Sequence, residues 1–265
     1  MQDHALQILH ARGLFAEGLV FKGGTALRKF RAGNTGRFST DLDFAVGEPG
    51  LAELVMETLH GADLDDFRFT VDVDVPQRRA TLNMETPFGV PAPPARIDIT
   101  PNLPWLQPEM LAPIALPIHA RYNFVLPRTP VIRIEELIAE KLARFHRASL
   151  ARDLYDLFWF SDKVFNEALV RRLTVLKIWR DIAVEGLSNP PFDPNHLLRQ
   201  RRPGDYHMEA IGTLTVPVAI EAWATRVRAR FAFVRDLDAQ GAPLARALLR
   251  EQGVFEDLVA QIRAA

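Results

Sequence analysis

Two aspartates separated by one residue are the clearest chemical signal in this sequence. Asp41 and Asp43 lie in the segment Thr40–Val46, whose alternation of polar and apolar residues predicts a β-strand. Alternate side chains leave the same face of a strand, so both carboxylates point together while Leu42 points to the core. Adjacent carboxylates repel each other unless a cation lies between them. Mg²⁺ favours such oxygen ligands when phosphates complete its shell, so the pair predicts phosphoryl or nucleotidyl transfer.

A Lys-Gly-Gly-Thr turn precedes these aspartates in the chain, between a short apolar segment and a helical one. Gly23 and Gly24 have no Cβ, so backbone N–H groups there can approach a triphosphate closely. Lys22 would add a positive charge and Thr25 a hydroxyl group. The spacing is not that of a P-loop, and a plain strand-to-helix connection is the alternative interpretation.

A third carboxylate is expected beside the first two. In the segment ARIDIT, residues 95–100, Asp98 shares one strand face with Arg96. Three carboxylates predict a two-metal mechanism, in which one ion lowers the pKa of the attacking hydroxyl and the other holds the leaving pyrophosphate. Asp41 and Asp43 would bridge the ions. Asp98 would ligate the ion at the attacking oxygen and accept its proton.

A helical segment in the second half of the chain carries further charged candidates. Lys141 and Arg144 recur at helical spacing, so Lys141 is a candidate clamp for a triphosphate, with solvent exposure as the alternative. Asp153 falls in the first turn of the next predicted helix, either as a helix cap or as an orienting partner for Lys141. Arg144, Arg147 and Arg152 are candidates for phosphate contacts.

The elements that must position these residues differ between the two halves of the chain. The N-terminal half mixes helices with strands and predicts an α+β fold. The second half fits helical periodicity; its predicted helices are residues 134–147, 152–160, 163–185, 216–238 and 243–264. Residues 101–130 hold seven of the nineteen prolines and predict an irregular connection. We therefore expect a catalytic domain at residues 1–128 and a helical domain at residues 129–265.

Composition excludes several classes of protein. The chain has 265 residues, of which 48% are hydrophobic and 25% charged, as in ordinary soluble globular proteins. Apolar runs fall short of the roughly 20 residues that a membrane-spanning helix needs, and the N-terminus lacks a signal-peptide pattern, so we expect a cytoplasmic protein. The absence of cysteine excludes disulfides and thiolate zinc sites. A net charge of −1 gives no overall basic field for nucleic acid.

Four ordered segments within residues 19–160 resemble the AbiEii/AbiGii nucleotidyltransferase toxin family. They are FKGGTALRKF, RFSTDLDF, ARIDI and EKLARFHRASLARDLYDL. That family belongs to the DNA polymerase β-like superfamily and includes the MenT toxins of type IV toxin–antitoxin pairs. The resemblance implies a polymerase β-like nucleotidyltransferase domain, with a mixed sheet and helices, followed by a helical C-terminal lobe.

The resemblance also implies roles for residues of the first half. Residues 23–25 resemble the nucleotide-binding turn of the family, and Asp41 with Asp43 resemble its metal-binding pair. Ser39 falls where the regulatory phosphoserine of a related toxin would lie, and with Lys22 it completes the nucleotide-binding set expected in this half.

In the helical half, Lys141 with Asp153 or Asp156 resemble the Lys and Asp of the family, and Arg144 is expected to contact the nucleotide. MenT-like members transfer nucleotides, with pyrimidines favoured, to the 3′ end of tRNA and so block aminoacylation. The implied ligands are therefore Mg²⁺, a nucleoside triphosphate and tRNA, and the implied partner is a cognate antitoxin. No association with a membrane is expected.

Two other functions fit the same residues. Transfer to a small molecule or to a protein side chain needs the same donor site, because the glycine turn and the aspartates hold only the donor. A non-catalytic nucleotide-binding module, whose helical half binds a partner, is the other alternative. The combination of three carboxylates with Lys141 argues against that module.

Overall fold

The chain forms two compact units. The computed structural model describes residues 1–74, 79–90, 92–208, 211–237, 239, 241–245 and 251–264. The first unit comprises Met1–Pro104 and Pro108–Ile132, and the second comprises Trp105–Gln107 and Arg133–Ala265. The α+β fold predicted from the sequence is confirmed, because the first unit holds a mixed sheet with helices and the described part of the second is helical. The assignment of catalytic and helical domains at residue 128 stays a prediction.

Helices and a sheet make up the first unit. Its helices within the described residues are α1 (Gln2–Ala11), α2 (Gly23–Leu27) and α3 (Pro49–Leu59). Its strands are β1 (Val20–Lys22), β2 (Leu42–Ala45), β3 (Asp63–Leu64), β4 (Phe67–Asp74), β5 (Arg79–Glu85), β6 (Ala95–Thr100), β7 (Glu109–Leu111) and β8 (Thr129–Val131). They form one sheet in the order β3-β4-β5-β6-β2-β1-β8-β7.

The central strands of this sheet have one apolar and one polar face. β1 pairs with β2 antiparallel, and β2 pairs with β6 parallel. Phe21, Leu42, Phe44 and Ile97 are all buried on the apolar face. Because the side-chain period of a strand is two, the residues between them are placed on the opposite face, where the aspartates lie.

The proline-rich residues 101–130 are less irregular than the sequence predicts. They supply β7, and β8 begins at their end, so the prediction of a wholly irregular connection is wrong. β8 pairs parallel with β1 through Phe21 and Val131, and antiparallel with β7. Backbone pairing with a neighbouring strand here overrides the local bias of the prolines.

The described second unit is built from helices. They are α4 (Ile134–Arg147), α5 (Ala151–Phe160), α6 (Glu167–Ala183), α7 (Pro194–Leu197), α8 (Ile220–Arg230), α9 (Gly241–Leu244) and α10 (Gln252–Ala264). α4 and α5 match the predicted helices closely. α6 begins later than predicted, because the side chain of Asn166 caps it by accepting a hydrogen bond from Leu169 N. Within the predicted helices 216–238 and 243–264, Asp238 and residues 246–250 lie outside the described residues.

A buried glutamate ties a short piece of the preceding chain to the second unit. Glu136 accepts hydrogen bonds from the backbone N–H groups of Trp105 at 2.9 Å and Leu106 at 2.8 Å. Lys177 Nζ lies 2.6 Å from the same carboxylate and 4.1 Å from the centroid of the Trp105 ring. Within the described chain, each helix is too short or too polar to cross a lipid bilayer.

Candidate active site

Three charged residues lie in a row across the three central strands. Lys22 on β1 pairs with Asp43 on β2, and Asp43 pairs in register with Asp98 on β6. Residues directly paired across strands point to the same face, so the two carboxylates and the lysine share one surface of the sheet. The structure therefore brings Asp98 beside Asp43, as the sequence predicts. The structure also places Lys22 next to these two aspartates. This proximity depends on strand pairing, so the local sequence does not reveal it.

Arg96 joins two of the predicted carboxylates. Its Nη2 donates to Asp41 Oδ2 at 3.0 Å, and its Nε donates to Asp98 Oδ2 at 2.7 Å. The guanidinium compensates the repulsion between the acids, and its hydrogen bonds to carboxylates are of the stronger, charge-assisted kind. The sequence analysis assigned no role to Arg96. Its spacing of two residues from Asp98 on a strand was the signal available.

The glycine turn packs directly against the aspartates. Gly23 has a φ of +78°, and a Cβ on this residue would overlap the carboxylate of Asp43. A Cβ on Gly24 would overlap the guanidinium of Arg37 and come within 3.2 Å of Ser39 Oγ. The positive φ and the close approach of Asp43 therefore require glycine at position 23, whereas a Cβ on residue 24 would displace the end of the Arg37 side chain. The turn and the carboxylate of Asp43 form one packed arrangement.

Thr25 and Ser39 support the entry to β2. Thr25 is buried, and its hydroxyl donates to the carbonyl oxygen of Asp41 at 2.5 Å. The carbonyl oxygen of Ser39 is a second possible acceptor for this hydroxyl, at 3.3 Å. Gln2 Nε2 donates to the same Ser39 carbonyl at 2.8 Å. The Thr25 hydroxyl thus fixes the backbone that carries Asp41. Contacts of Thr25 and Ser39 with a nucleotide stay a prediction.

Lys141 lies in a second charged cluster, inside the helical unit. Its Nζ is 3.3 Å from Asp153 Oδ1 and 2.6 Å from Asp156 Oδ2, and all three side chains are buried. The alternative of a solvent-exposed Lys141 is therefore wrong. Asp153 lies in the first turn of α5 without capping it, so the alternative of an orienting partner for Lys141 agrees with the contacts.

Arg144 completes this cluster. Its Nε donates to Asp153 Oδ2 at 2.7 Å, and its Nη2 contacts Asp153 Oδ1. Burial alone would raise the pKa of Asp153, but the charges of Arg144 and then Lys141 outweigh it and hold the pKa below the usual range of an aspartate. Arg147, another predicted phosphate contact, instead lies 2.8 Å from Asp181 Oδ2.

The donor set of the first unit fits a divalent cation in its chemistry. Asp41, Asp43 and Asp98 offer only carboxylate oxygens, which hard divalent cations prefer. Among the described residues, however, no three His, Cys, Asp or Glu side chains stand close enough to hold a metal ion as they are placed. Arg96 occupies the position between Asp41 and Asp98. Metal ligation by these three residues stays a prediction.

Comparisons with known proteins identify the family. The model of the AbiEii family, described as a nucleotidyl transferase AbiEii toxin of a type IV toxin–antitoxin system, matches residues 7–250. The solved structure of MenT4, a nucleotidyltransferase toxin from Mycobacterium tuberculosis, has a TM-score of 0.93 and 43% identity over 99% of this chain and 91% of that chain. A search of curated proteins gave no match.

A crystal structure from Helicobacter pylori, of a protein assigned as a nucleotidyltransferase, shares the fold alone. Its TM-score is 0.52 and its identity 19%, over 89% of this chain and 95% of that chain. The extent of the family match and the similarity to MenT4 confirm the resemblance predicted from the four sequence segments. Members of this family use a nucleoside triphosphate and a divalent metal and are paired with an antitoxin. This chain belongs to the AbiEii family of nucleotidyltransferase toxins of type IV toxin–antitoxin systems.

Proposed function

We propose that the protein transfers a nucleoside monophosphate from a triphosphate to the 3′ end of tRNA, by a Mg²⁺-dependent two-metal mechanism. The observation that carries the proposal is the pairing of Asp43 with Asp98 on adjacent strands, beside a glycine turn that packs against Asp43. The donor site and the acidic site are thereby held together. Family membership supplies the reaction class.

The residues of the first unit divide the reaction between them. The backbone at Gly23 and Gly24 receives the triphosphate, and Lys22 adds positive charge beside Asp43. Asp98 accepts the proton of the attacking 3′ hydroxyl. That oxygen forms a bond to the α-phosphorus, the bond from this phosphorus to the bridging oxygen breaks, and pyrophosphate leaves. When bound, Mg²⁺ would lower the pKa of the hydroxyl and stabilise the charge of the pyrophosphate.

Arg96 keeps the acids compensated before the substrates bind. Its guanidinium forms ion pairs with Asp41 and Asp98, the carboxylates that would bind the metal cations in this mechanism. Arg96 is 37% exposed, so it can exchange its carboxylate partners for water when a cation arrives. In the helical unit, Asp153 pairs with both Lys141 and Arg144 and holds these two cations in place.

The test uses the purified protein with total tRNA, Mg²⁺ and each of the four α-³²P-labelled nucleoside triphosphates in turn. We expect label in tRNA, and a loss of about 100-fold or more in its rate for Asp43→Asn, since such a substitution removes one ligand of the proposed cations. Asp72→Asn, an exposed aspartate on β4, is the matched control and should keep full activity.

Three outcomes would contradict the proposal. Label that enters a protein or a small molecule instead of tRNA would favour transfer to another acceptor. Binding of the triphosphate without release of pyrophosphate in any condition would favour the non-catalytic module. Full activity of Asp43→Asn would refute the assigned carboxylates.

A further inference from the structure

A second feature of the first unit is a pocket of about 380 Å³, a volume in the range of small-molecule binding sites. Its lining residues include Gln2, Asp3, Arg28, Phe38, Thr40 and Tyr122. The sequence analysis gave no role to any of these six residues, and the mechanism proposed above does not use them. Most of the lining is apolar, with polar groups at a few positions.

One wall of the pocket is a stacked pair. The guanidinium of Arg28 lies 4.9 Å from the centroid of the Phe38 ring. Phe38 is 43% exposed, so its ring is accessible to a ligand. Arg28 Nε is buried and has no hydrogen-bond partner among the described residues. A buried donor without an acceptor is costly, and an acceptor on a bound ligand would satisfy it.

Three other lining residues of the pocket form a polar cluster. Asp3 and Lys29 form a buried ion pair at 2.5 Å, and the hydroxyl of Tyr122 donates to Asp3 at 2.8 Å. Burial lowers the pKa of Lys29, and Asp3 opposes that shift. A carboxylate, an ammonium and a hydroxyl together offer both acceptors and donors to the polar edge of a ligand.

Two lining residues of the pocket contact the chain segment that leads into the candidate active site. Thr40 lines the pocket, and its hydroxyl lies 3.5 Å from Asp41 Oδ1. Gln2 also lines the pocket, and its amide donates to the carbonyl oxygen of Ser39. A ligand in this pocket would therefore lie next to the chain segment that carries the first predicted carboxylate.

We propose that this pocket binds a nucleobase of one of the two substrates, with its ring against the Phe38 and Arg28 pair. A nucleobase has a flat face for stacking and a polar edge for Arg28 Nε and the Asp3, Lys29 and Tyr122 cluster. The inference rests on the proposed nucleotidyl transfer, which brings two kinds of nucleoside to Asp41, that of the donor and that of the acceptor 3′ end.

The experiment measures equilibrium binding and does not require turnover. Each nucleoside triphosphate and the trinucleotide CCA, which ends tRNA, are titrated separately into the wild type and the variants Phe38→Ala, Phe38→Leu and Phe38→Trp. Phe88→Ala is the matched control, because Phe88 is 78% exposed and does not line the pocket. Thermal unfolding verifies that each variant is folded.

We expect Phe38→Ala and Phe38→Leu to weaken one ligand by about fivefold or more, the loss of one base stack, while Phe38→Trp and Phe88→Ala bind as the wild type does. Weaker triphosphate binding assigns the pocket to the donor base, and weaker CCA binding assigns it to the acceptor. The inference is wrong if the wild type binds neither ligand, or if folded Phe38→Ala and Phe38→Leu bind both unchanged. A protein that binds through Phe38 but labels no tRNA would instead refute the proposed function alone.

Discussion

The two charged clusters of this protein combine similar residues but differ in their exposure to solvent. In the sheet, the side chains of Asp41 and Asp98 are 25% and 37% exposed, whereas those of Asp153 and Asp156 in the helical unit are 0% and 1% exposed. A partly exposed carboxylate pays little desolvation and stays accessible to a ligand. A buried one must be compensated within the fold.

The cations of the two clusters differ in the same way. Arg96 is 37% exposed and can leave its carboxylates to water or to a ligand. Lys141 is 3% exposed, and its removal would leave Asp153 and Asp156 buried beside one positive charge fewer. The sheet cluster is therefore available for chemistry, while the helical cluster contributes first to the stability of its unit.

The largest expected effect is on the helical cluster. Lys141→Met should lower the free energy of unfolding by about 3–5 kcal/mol, because it removes the ammonium that lies between two buried carboxylates. Chemical denaturation measures this change. Lys163→Met, at a partly exposed lysine of the same unit, is the control and should cost less than about 1 kcal/mol. A Lys141→Met protein as stable as the wild type would contradict the stabilising role given to the helical cluster.

A pH titration extends the comparison to another buried group of the helical unit. Burial lowers the pKa of His146 to about 4, from about 6.5 in an unfolded chain, with Asn189, His196, Asp193 and Arg201 around it. Between about pH 4 and pH 6.5, the unfolded chain therefore binds more protons at this residue than the folded protein does. Stability is therefore complete above about pH 6.5 and falls as the pH drops towards 4, by up to about 3 kcal/mol from this group.

Denaturation of the wild type and of His146→Gln at a series of pH values measures this dependence. The free energy of unfolding of His146→Gln should depend less steeply on pH than that of the wild type, because the titration of His146 is removed. Equal slopes in the two proteins between pH 4 and about 6.5 would show that His146 does not titrate as its burial requires.

A smaller effect on stability is expected in the glycine turn, together with a large effect on activity. Gly23→Ala places a Cβ at a positive φ and against Asp43, so we expect a loss of about 1–3 kcal/mol. The displaced carboxylate should also lower the rate of nucleotidyl transfer at least about tenfold. Gly13→Ala is a suitable control, since its φ is also positive but a Cβ there would meet no neighbour. It should lose stability without losing activity.

The smallest effect on stability is expected at Arg96. Arg96→Gln should change the free energy of unfolding by less than about 1 kcal/mol, because the ion pairs are partly exposed. It should bind Mn²⁺ more tightly than the wild type, since the guanidinium no longer competes for Asp41 and Asp98. Electron paramagnetic resonance of free Mn²⁺ measures the affinity. Unchanged or weaker binding would mean that Arg96 does not compete with the cation.

Local signals made much of the fold predictable. α3 begins at Pro49 and ends at Leu59, and local signals account for it, because a proline can occupy the first helical turn and the apolar residues that follow recur at helical spacing. α4 likewise matches its predicted bounds. The strands β7 and β8 were not predicted, because β8 pairs with β1 and β7 with β8, and both pairings join residues far apart in the chain.

The family and the chemical character of the candidate site are readable from the sequence alone. Ordered motifs and the alternation of a strand suffice to place Asp41 and Asp43 on one face and to associate them with the glycine turn. These are local properties, carried by residue type and spacing, and they do not depend on what the distant chain does.

Which groups compensate those charges, and which carboxylates are accessible to a ligand, follows from the folded structure alone. The register of β2 with β6 put Asp98 beside Asp43, Arg96 reached from one carboxylate to another, and the packing of helices buried Lys141. Such outcomes depend on strand pairing and on desolvation, and both are set by contacts between residues that lie far apart in the chain.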